Sequence, residues 1–184
     1  MNYIIFDLEA TCWQTGGHGQ GETIEIGAVL INEHRELVAE FSRFIKPIKH
    51  PILSDFCIEL TSIQQSDVDT AGYFREVVEA FQDWIGLGDK DYLLCSWGFY
   101  DRKQLESDCK LHGVEQKWLE KHISLKHQYG DFKQLRRKLG MKRALMKEGM
   151  DLEGTHHRGI DDARNIAKIF VKYFDRWKLE LKGE

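Results

Sequence analysis

Two acidic residues follow a short apolar run near the start of the chain. Asp7 and Glu9 lie in the segment FDLEAT, directly after the β-prone residues 3–6. Side chains two positions apart on a strand project from the same face, so both carboxylates would point one way and Leu8 the other. Such a pair can bind hard divalent cations, which prefer carboxylate oxygens. An exposed strand end with the same spacing is an equally good interpretation of this motif taken alone.

A third acid lies where a strand and a helix are expected to meet. Residues 92–96 are predicted to form a strand, and Asp101, in WGFYDRKQL, follows it at the start of a helix over residues 101–112. Acids beyond the carboxyl end of such a strand can meet those of the first strand. Asp101 could instead cap its own helix, and the motif by itself favours the cap.

Two adjacent acids near the end of the chain can be separated by helical phase. In the segment HHRGIDDARNIAKIF, Asp162 shares a helix face with Ile166 and Ile169. Asp161 instead aligns with the polar residue Asn165, which predicts a solvent-facing cap. We therefore assign Asp162, and not its neighbour, to a metal site.

A histidine pair precedes these acids. His157 lies five residues before Asp162 in a loop that contains glycine. A neutral imidazole there could accept a proton from an activated water. An ordinary surface histidine is the alternative interpretation, and the adjacent His156 strengthens it, because helical phase does not say which of the two turns inward.

Four carboxylates and a histidine suit the hydrolysis of a phosphodiester. That reaction requires charge neutralisation on the phosphoryl oxygens, a hydroxide-like nucleophile near neutral pH, and stabilisation of the departing oxygen. Two Mg²⁺ ions can meet all three requirements, and they need several convergent carboxylates. The net charge of -4 argues against binding nucleic acid by bulk electrostatics. Any contact with nucleic acid should therefore be local.

Several segments together resemble one known family. FDLEAT, the acid of WGFYDRKQL, and the H-x-x-x-x-D spacing from His157 to Asp162 are similar to the three exonuclease motifs of the DEDDh family, in that order. The segment LSDFCIELTSIQQSDVD, residues 53–69, resembles the Eri-type histone-mRNA 3′ exonucleases, as does ISLKHQYGDF farther on. The likeness covers most of the chain.

This resemblance implies a metal-dependent 3′→5′ exonuclease that hydrolyses single-stranded nucleic acid, RNA favoured, from a free 3′ end and releases nucleoside 5′-monophosphates. His157 would be the general base. Two Mg²⁺ or Mn²⁺ ions would be bound by the four carboxylates, which are Asp7, Glu9, Asp101 and Asp162.

The resemblance also implies residues that contact the terminal nucleotide. Phe56 and Tyr100 match an aromatic pair that sandwiches the terminal base. Stacking on aromatic rings contributes roughly 1 to 3 kcal/mol per base and tolerates any base. A buried core position is the alternative for Phe56. The other matching contacts are Ala10, Thr11, Leu60 and His157.

Two alternative functions remain open. The same chemistry could act on DNA, as it does in proofreading-type members of the wider family. The chain could instead be a nucleic-acid-binding or regulatory protein that keeps the fold without cutting. The partners we expect are single-stranded RNA or DNA 3′ ends, with the chain a monomer or a homodimer; protein partners are not predicted.

Length and composition indicate a globular protein. A chain of 184 residues, 42% hydrophobic and 30% charged, predicts a single exonuclease domain over residues 1–184. No apolar run has the roughly 18 to 20 residues of a membrane helix, so no membrane association is expected. The four cysteines form no C-x-x-C pair, which argues against a zinc site or a disulfide framework and favours reduced thiols in the cytoplasm.

Larger animal relatives carry a nucleic-acid-binding domain ahead of the exonuclease, whereas this chain begins at its first catalytic strand. Recognition of a specific stem-loop is therefore not expected. Local basic residues could lead a phosphate backbone toward the acids, although a solvated helix face explains them equally well. They are Arg136, Arg137, Lys138, Lys142, Arg143 and Lys147.

Hydrophobic patterning predicts a mixed sheet flanked by helices. Residues 22–31 and 37–45 are predicted to form an antiparallel hairpin after the first strand. Helices are predicted from a Thr70 cap through residues 74–85 to Gly86, over 101–112, over 130–139 and over 161–177. With the family resemblance, the expected fold is α/β and ribonuclease H-like, with a mixed five-stranded sheet. Strand order cannot be derived from periodicity.

Overall fold

A mixed sheet forms the centre of the protein. The computed structural model describes residues 1–16 and 18–179. The strands of the sheet are β1 (Asn2–Ala10), β2 (Thr23–Ile31), β3 (Leu37–Lys46), β4 (Gly72–Tyr73), β5 (Tyr92–Ser96) and β6 (His122–Ser124). Their order is β4-β3-β2-β1-β5-β6, with β1, β2 and β3 antiparallel and β5 and β6 parallel to β1. The predicted mixed α/β sheet is confirmed, although it has six strands where five were expected.

Helices cover both faces of this sheet. They are α1 (Asp55–Thr61), α2 (Gln65–Asp69), α3 (Phe74–Ile85), α4 (Tyr100–His112), α5 (Leu125–Phe132), α6 (Met141–Lys147) and α7 (Gly159–Lys172), with 3-10 turns at Lys117–Leu119 and Phe174–Arg176. Within the described residues, no helix is long and apolar enough to span a bilayer.

Alternation along β1 determines which helices its acids face. Ile4 and Phe6 point into the core that contains the apolar residues of α3 and α4. Tyr3 and Ile5 point into the opposite core, which α5, α6 and α7 complete. Because the side-chain period of a strand is two, an odd-numbered residue such as Asp7 continues the face on which α7 packs.

Two predicted helices end in the wrong place. The helix expected over residues 130–139 is instead the end of α5, which stops at Phe132. Gln134 then adopts a left-handed φ of 53°, and the N–H of Leu135 bonds back to the carbonyl of Gly130, so the helix cannot continue. Residues 133–140 therefore form a non-helical connection.

The last helix is shorter than expected, and another helix has a different cap. α7 ends at Lys172, and Trp177 folds back so that its indole N–H donates to the carbonyl of Phe170 at 2.8 Å. The predicted Thr70 cap is also wrong, because α3 begins after Tyr73 and Thr70 ends α2. The predicted end of α3 at Gly86 is confirmed, with a left-handed φ of 76° that favours glycine.

Candidate active site

The acids of β1 lie within the strand, near its carboxyl end, and not beyond it. β1 continues through the FDLEAT motif to Ala10, and Glu9 is 8% exposed. The side chains of Asp7, Glu9 and Asp162 offer oxygens that all lie within 4.8 Å of one another. The assignment of Asp162, and not Asp161, to a metal site stays a prediction with which this geometry is consistent. Asp161 instead pairs with Arg164 at 2.9 Å.

Two glycines let α7 approach the strands closely enough to bring Asp162 into the site. Gly27 lies opposite Asp7 in the β1–β2 register. A Cβ added at Gly27 would lie 2.0 Å from the carbonyl carbon of Gly159, the first residue of α7. A Cβ added at Gly159 would lie 3.0 Å from the backbone oxygen of Asp7. Backbone therefore packs directly on backbone where the helix begins.

Asp101 reaches the same site from α4. It lies in the first turn of that helix, after the N-cap Phe99, and it is 5% exposed. Its Oδ1 accepts a hydrogen bond of 3.3 Å from the backbone N–H of Leu8, between the two acids of β1. A solvated helix cap would show neither feature, so this structure favours the site role over the capping alternative.

The clustered carboxylates repel one another, and all but the half-buried Asp7 are shielded from water. Burial raises the pKa of Asp7 well above its ordinary value, and Asp101, Glu9 and Asp162 raise it further. Burial and the charge of Asp162 raise the pKa of Glu9 to about 8. Burial also raises the pKa of Asp101 to about 6, although hydrogen bonds to its carboxylate oppose the rise.

This donor set fits hard divalent cations. Buried like charges are costly unless they are protonated or compensated, and divalent cations that prefer oxygen ligands would compensate them. The side chains that would bind such ions are Asp7, Glu9, Asp101 and Asp162.

Both histidines lie beside Asp162. Nδ1 of His156 is 3.0 Å from Oδ2 of Asp162, whereas His157 contacts the same oxygen through its backbone N–H at 3.1 Å. The two imidazole rings stack with centroids 3.9 Å apart. His157 also has a left-handed φ of 66°, an uncommon conformation for a residue with a side chain that often occurs at functional sites. Both imidazoles therefore remain within reach of the site.

Helix α1 presents the first of the predicted base-contacting residues. Its N-cap Ser54 accepts a bond from the N–H of Cys57 and donates from Oγ to the carbonyl of Cys12 at 2.6 Å. This links α1 to the segment that follows the acids of β1. Phe56 is half-buried and belongs to none of the buried core clusters, which disfavours the core alternative for this ring.

The other predicted contact residues differ in their exposure. Tyr100 is 61% exposed and Leu60 is 37% exposed, so both can offer apolar surface to a ligand. Partial burial is the largest cause of a raised pKa for Tyr100, and the charges of Asp101 and Glu9 raise the pKa further. The ring of Tyr100 therefore lies beside these acids. Ala10 and Thr11 are buried.

Thr11 has a structural use for its side chain. Its hydroxyl accepts the backbone N–H of Glu22 at 2.9 Å. Ala10 and Thr11 are 8% and 5% exposed, so the structure offers little of either side chain to solvent. Their predicted contact with a nucleotide stays a prediction.

Comparison with known proteins places the arrangement in a family. A family model described as exonuclease matches residues 4–170. The chain belongs to this exonuclease family. This match, together with the relatives and the solved structure described next, confirms the resemblance to DEDDh exonucleases of the Eri type.

Two relatives show the extent of the similarity. Human 3′-5′ exoribonuclease 1 is 37% identical over 182 residues, which cover 93% of this chain and 52% of the relative. ERI1 exoribonuclease 2 of Xenopus laevis is 34% identical, over 90% of this chain and 27% of the relative. The chain therefore spans about half or less of the length of these two proteins.

A solved structure matches the chain more completely. It is the nuclease domain of 3′hExo, a DEDDh family member, bound to rAMP. The TM-score is 0.90 at 34% sequence identity, and the match covers 100% of this chain and 96% of that one. The predicted ribonuclease H-like exonuclease fold is confirmed by this likeness.

Sequence reasoning missed one buried acid beside the exonuclease site. Glu25 is 0% exposed and lies opposite Glu9 in the β1–β2 register. It accepts hydrogen bonds from Nε of Arg158 at 3.2 Å and from the backbone N–H of Gly159 at 2.9 Å. Glu25 thereby holds the residues that directly follow His157. A charged residue between two isoleucines of an otherwise apolar strand was the available signal.

Proposed function

We propose that this chain is a metal-dependent 3′→5′ exonuclease that hydrolyses single-stranded nucleic acid, with RNA favoured, from a free 3′ end to nucleoside 5′-monophosphates. The observation that carries the proposal is the meeting of acids from β1, α4 and α7 beside an imidazole pair. The preference for RNA is supported by relatives named exoribonucleases and by the neighbour bound to rAMP.

Each functional group has a stated part in this proposal. Two Mg²⁺ or Mn²⁺ ions would be bound by Asp7, Glu9, Asp101 and Asp162. When bound, such ions neutralise phosphoryl charge and lower the pKa of water. Phe56 and Tyr100 stack on the terminal base and hold the end of the strand in the site.

The imidazole of His157 accepts the proton of the attacking water. The water oxygen bonds to the terminal phosphorus, and the bond from that phosphorus to the 3′ oxygen of the preceding nucleotide breaks. The phosphate therefore leaves on the 5′ oxygen of the released nucleoside. The departing 3′ oxygen takes a proton from solvent, so the shortened strand ends in a new 3′-hydroxyl. His156, through its contact with Asp162, orients that carboxylate.

A time course with a 5′-labelled 20-nucleotide RNA tests the proposal. The arms contain Mg²⁺, Mn²⁺ or a chelator, and one substrate has a blocked 3′ end. We expect a ladder that shortens from the 3′ end only with metal and a free terminus, and chromatography should identify nucleoside 5′-monophosphates. A matched DNA strand measures the preference for RNA.

Two variants accompany the time course. Asp7→Asn should lose the activity, while Asp89→Asn, an exposed carboxylate outside the site, should keep it. Tight RNA binding without turnover by the wild type would favour a binding protein that does not cut. Wild-type turnover by Asp7→Asn would contradict the assigned metal site.

A further inference from the structure

One stretch of the chain concentrates positive charge. Residues 133–147 contain seven Lys or Arg and no Asp or Glu, in a protein whose net charge is -4. We call this stretch the basic segment. It comprises the connection after α5 and the whole of α6. Such a local excess is unusual on an otherwise acidic chain.

Two of the seven cations are used within the protein. Lys133 lies 2.9 Å from the carboxylate of Glu148, and Lys138 pairs with Asp131. Among the residues that the structure describes, the other five have no carboxylate within 4.0 Å, and all five are exposed. These five unpaired cations are Arg136, Arg137, Lys142, Arg143 and Lys147.

Packing orients the cations of α6 outward. Met141, Ala144 and Leu145 are buried in the core that α7 completes. Lys142 and Arg143 lie on the opposite, exposed side of this short helix. The charges therefore line a surface and are not part of the core.

The basic segment passes beside the candidate active site at Leu139 and Lys142. The indole N–H of Trp97, just beyond the end of β5, donates to the carbonyl of Leu139 at 3.0 Å. Asp101 follows on the same chain segment. Lys142 lies close to His157. Burial and the charge of His156 are the larger causes that lower the pKa of His157, and the charge of Lys142 also lowers it. The middle of the basic segment, around Leu139 and Lys142, therefore lies near the acidic site.

We propose that the unpaired cations of the basic segment bind the phosphates of the substrate strand on the 5′ side of the bond that is cut. This inference rests on the proposed function and assigns the path of the strand outside the site. Phosphates carry the charge complementary to these side chains, and they occur at every nucleotide, so the contact is independent of base sequence. The acidic site alone would repel an approaching strand. A flanking basic surface offsets that repulsion locally.

Substrate length tests this assignment. The triple variant Arg137→Gln, Lys142→Gln and Arg143→Gln is compared with the wild type on a 20-mer and a 3-mer of uridylate. The matched control is Lys90→Gln, Lys110→Gln and Lys117→Gln, which removes the same charge from exposed positions remote from the acids.

The triple variant should lose about tenfold or more in kcat/KM on the 20-mer, mainly through KM, and less than about twofold on the 3-mer. The dependence of log kcat/KM on log salt should become shallower by about 0.7 for each lost phosphate contact. The control should match the wild type. A thymidylate 20-mer should show the same loss, because the contact is to phosphate.

Three results would overturn the inference. Equal losses of kcat/KM on both substrates would mean that the side chains act inside the site or contribute to the stability of the fold. No loss of kcat/KM on either substrate would mean that the basic residues form a solvated helix face and do not bind the strand. If the wild type does not cut, the proposed function fails separately, and anisotropy of a labelled 20-mer in chelator still tests the surface. Undiminished binding by the triple variant in that measurement would refute it.

Discussion

Nδ1 of His156 lies 3.0 Å from the carboxylate of Asp162, while His157 reaches that carboxylate only through its backbone N–H. The imidazole of His157 is therefore not engaged with Asp162 and can face a water or a substrate. The two neighbours should have separable roles. Under the proposed function, His156 would orient a metal ligand and His157 would accept a proton.

Alanine variants of the two histidines should separate these roles. His157→Ala should lower kcat by roughly 10² to 10⁴-fold, the usual contribution of a general base, with metal affinity nearly unchanged. His156→Ala should weaken metal binding by about tenfold, because an orienting partner of a ligand is lost. Rates at saturating Mn²⁺ and Mn²⁺ titrations measure the two effects. The opposite pattern would make His156 the base.

The pH profile should report the same imidazole. Burial and then His156 lower the pKa of His157 from its ordinary value of about 6.5, although Asp162 opposes the shift. A base works only when unprotonated, so activity should be kept above this lowered pKa and lost as pH falls through it. The acid limb of kcat/KM should disappear in His157→Ala. An identical limb in that variant would assign it to another group.

Asp7→Asn should stabilise the protein when divalent ions are removed. The raised pKa values of Asp7 and Glu9 mean that the folded state holds more protons than the unfolded state. Folding stability should therefore fall as pH rises from about 4 to 8, and removing one acid relieves the repulsion. We expect a higher Tm for Asp7→Asn in chelator at pH 8.

The same variant should lose the rise in Tm that Mg²⁺ or Mn²⁺ produces in the wild type, because a ligand is missing. Asp89→Asn, which changes an exposed carboxylate, is the control and should behave as the wild type in both measurements. If Asp7→Asn has a lower Tm than the wild type in chelator, then the Asp7 carboxylate of the wild type is stabilised by something other than metal.

Gly27→Ala should damage both stability and the site. The added Cβ would lie 2.0 Å from the carbonyl carbon of Gly159, so α7 must move outward and carry Asp162 with it. Overpacking of this kind costs about 1 to 3 kcal/mol, and a misplacement of about 1 Å can lower a rate by about 10²-fold. Denaturant unfolding and kcat measure the two effects.

Gly16→Ala is the matched control, since a Cβ there meets nothing within 4 Å. It should leave stability and rate close to wild-type values. Full activity of Gly27→Ala would mean that α7 can shift without moving its acid.

Glu148→Gln should destabilise the folded protein more at neutral pH than in acid. Burial alone would raise the pKa of Glu148, but hydrogen bonds outweigh it and hold the pKa well below its ordinary value. The donors are Tyr129 and Lys133 together with Tyr173 and Lys172. The stability that a lowered pKa contributes is present above the unfolded value near 4.5 and is lost as pH falls through the folded value.

The variant should therefore lose about 1 to 3 kcal/mol at pH 7, the range for hydrogen bonds to a charged group, and less at pH 3. Urea unfolding at the two pH values measures this difference. Glu120→Gln, at an exposed position, should change neither value. An equal loss at both pH values would show that the carboxylate charge contributes nothing.

Some elements were predictable because local patterns determine them. The strand over residues 92–96 and the ends of α3 and α4 at glycine agree with the structure, since apolar runs and left-handed caps are local signals. The helix expected over residues 130–139 is wrong. Its apolar spacing is typical of a helix, but the left-handed φ of Gln134 ends the helix before that spacing is completed.

The sequence by itself determined which acids could bind metal and how they are spaced. It also indicated the family to which the chain belongs. Strand and helix periodicity also separated Asp162 from Asp161. Only the tertiary structure decided that His156 contacts Asp162 and that Glu25 holds the start of α7. It also decided that five cations of the basic segment have no carboxylate partner among residues 1–16 and 18–179. Each of these joins side chains through the packing of separate elements or through a loop conformation. Periodicity describes one element at a time, so it carries no information about such contacts.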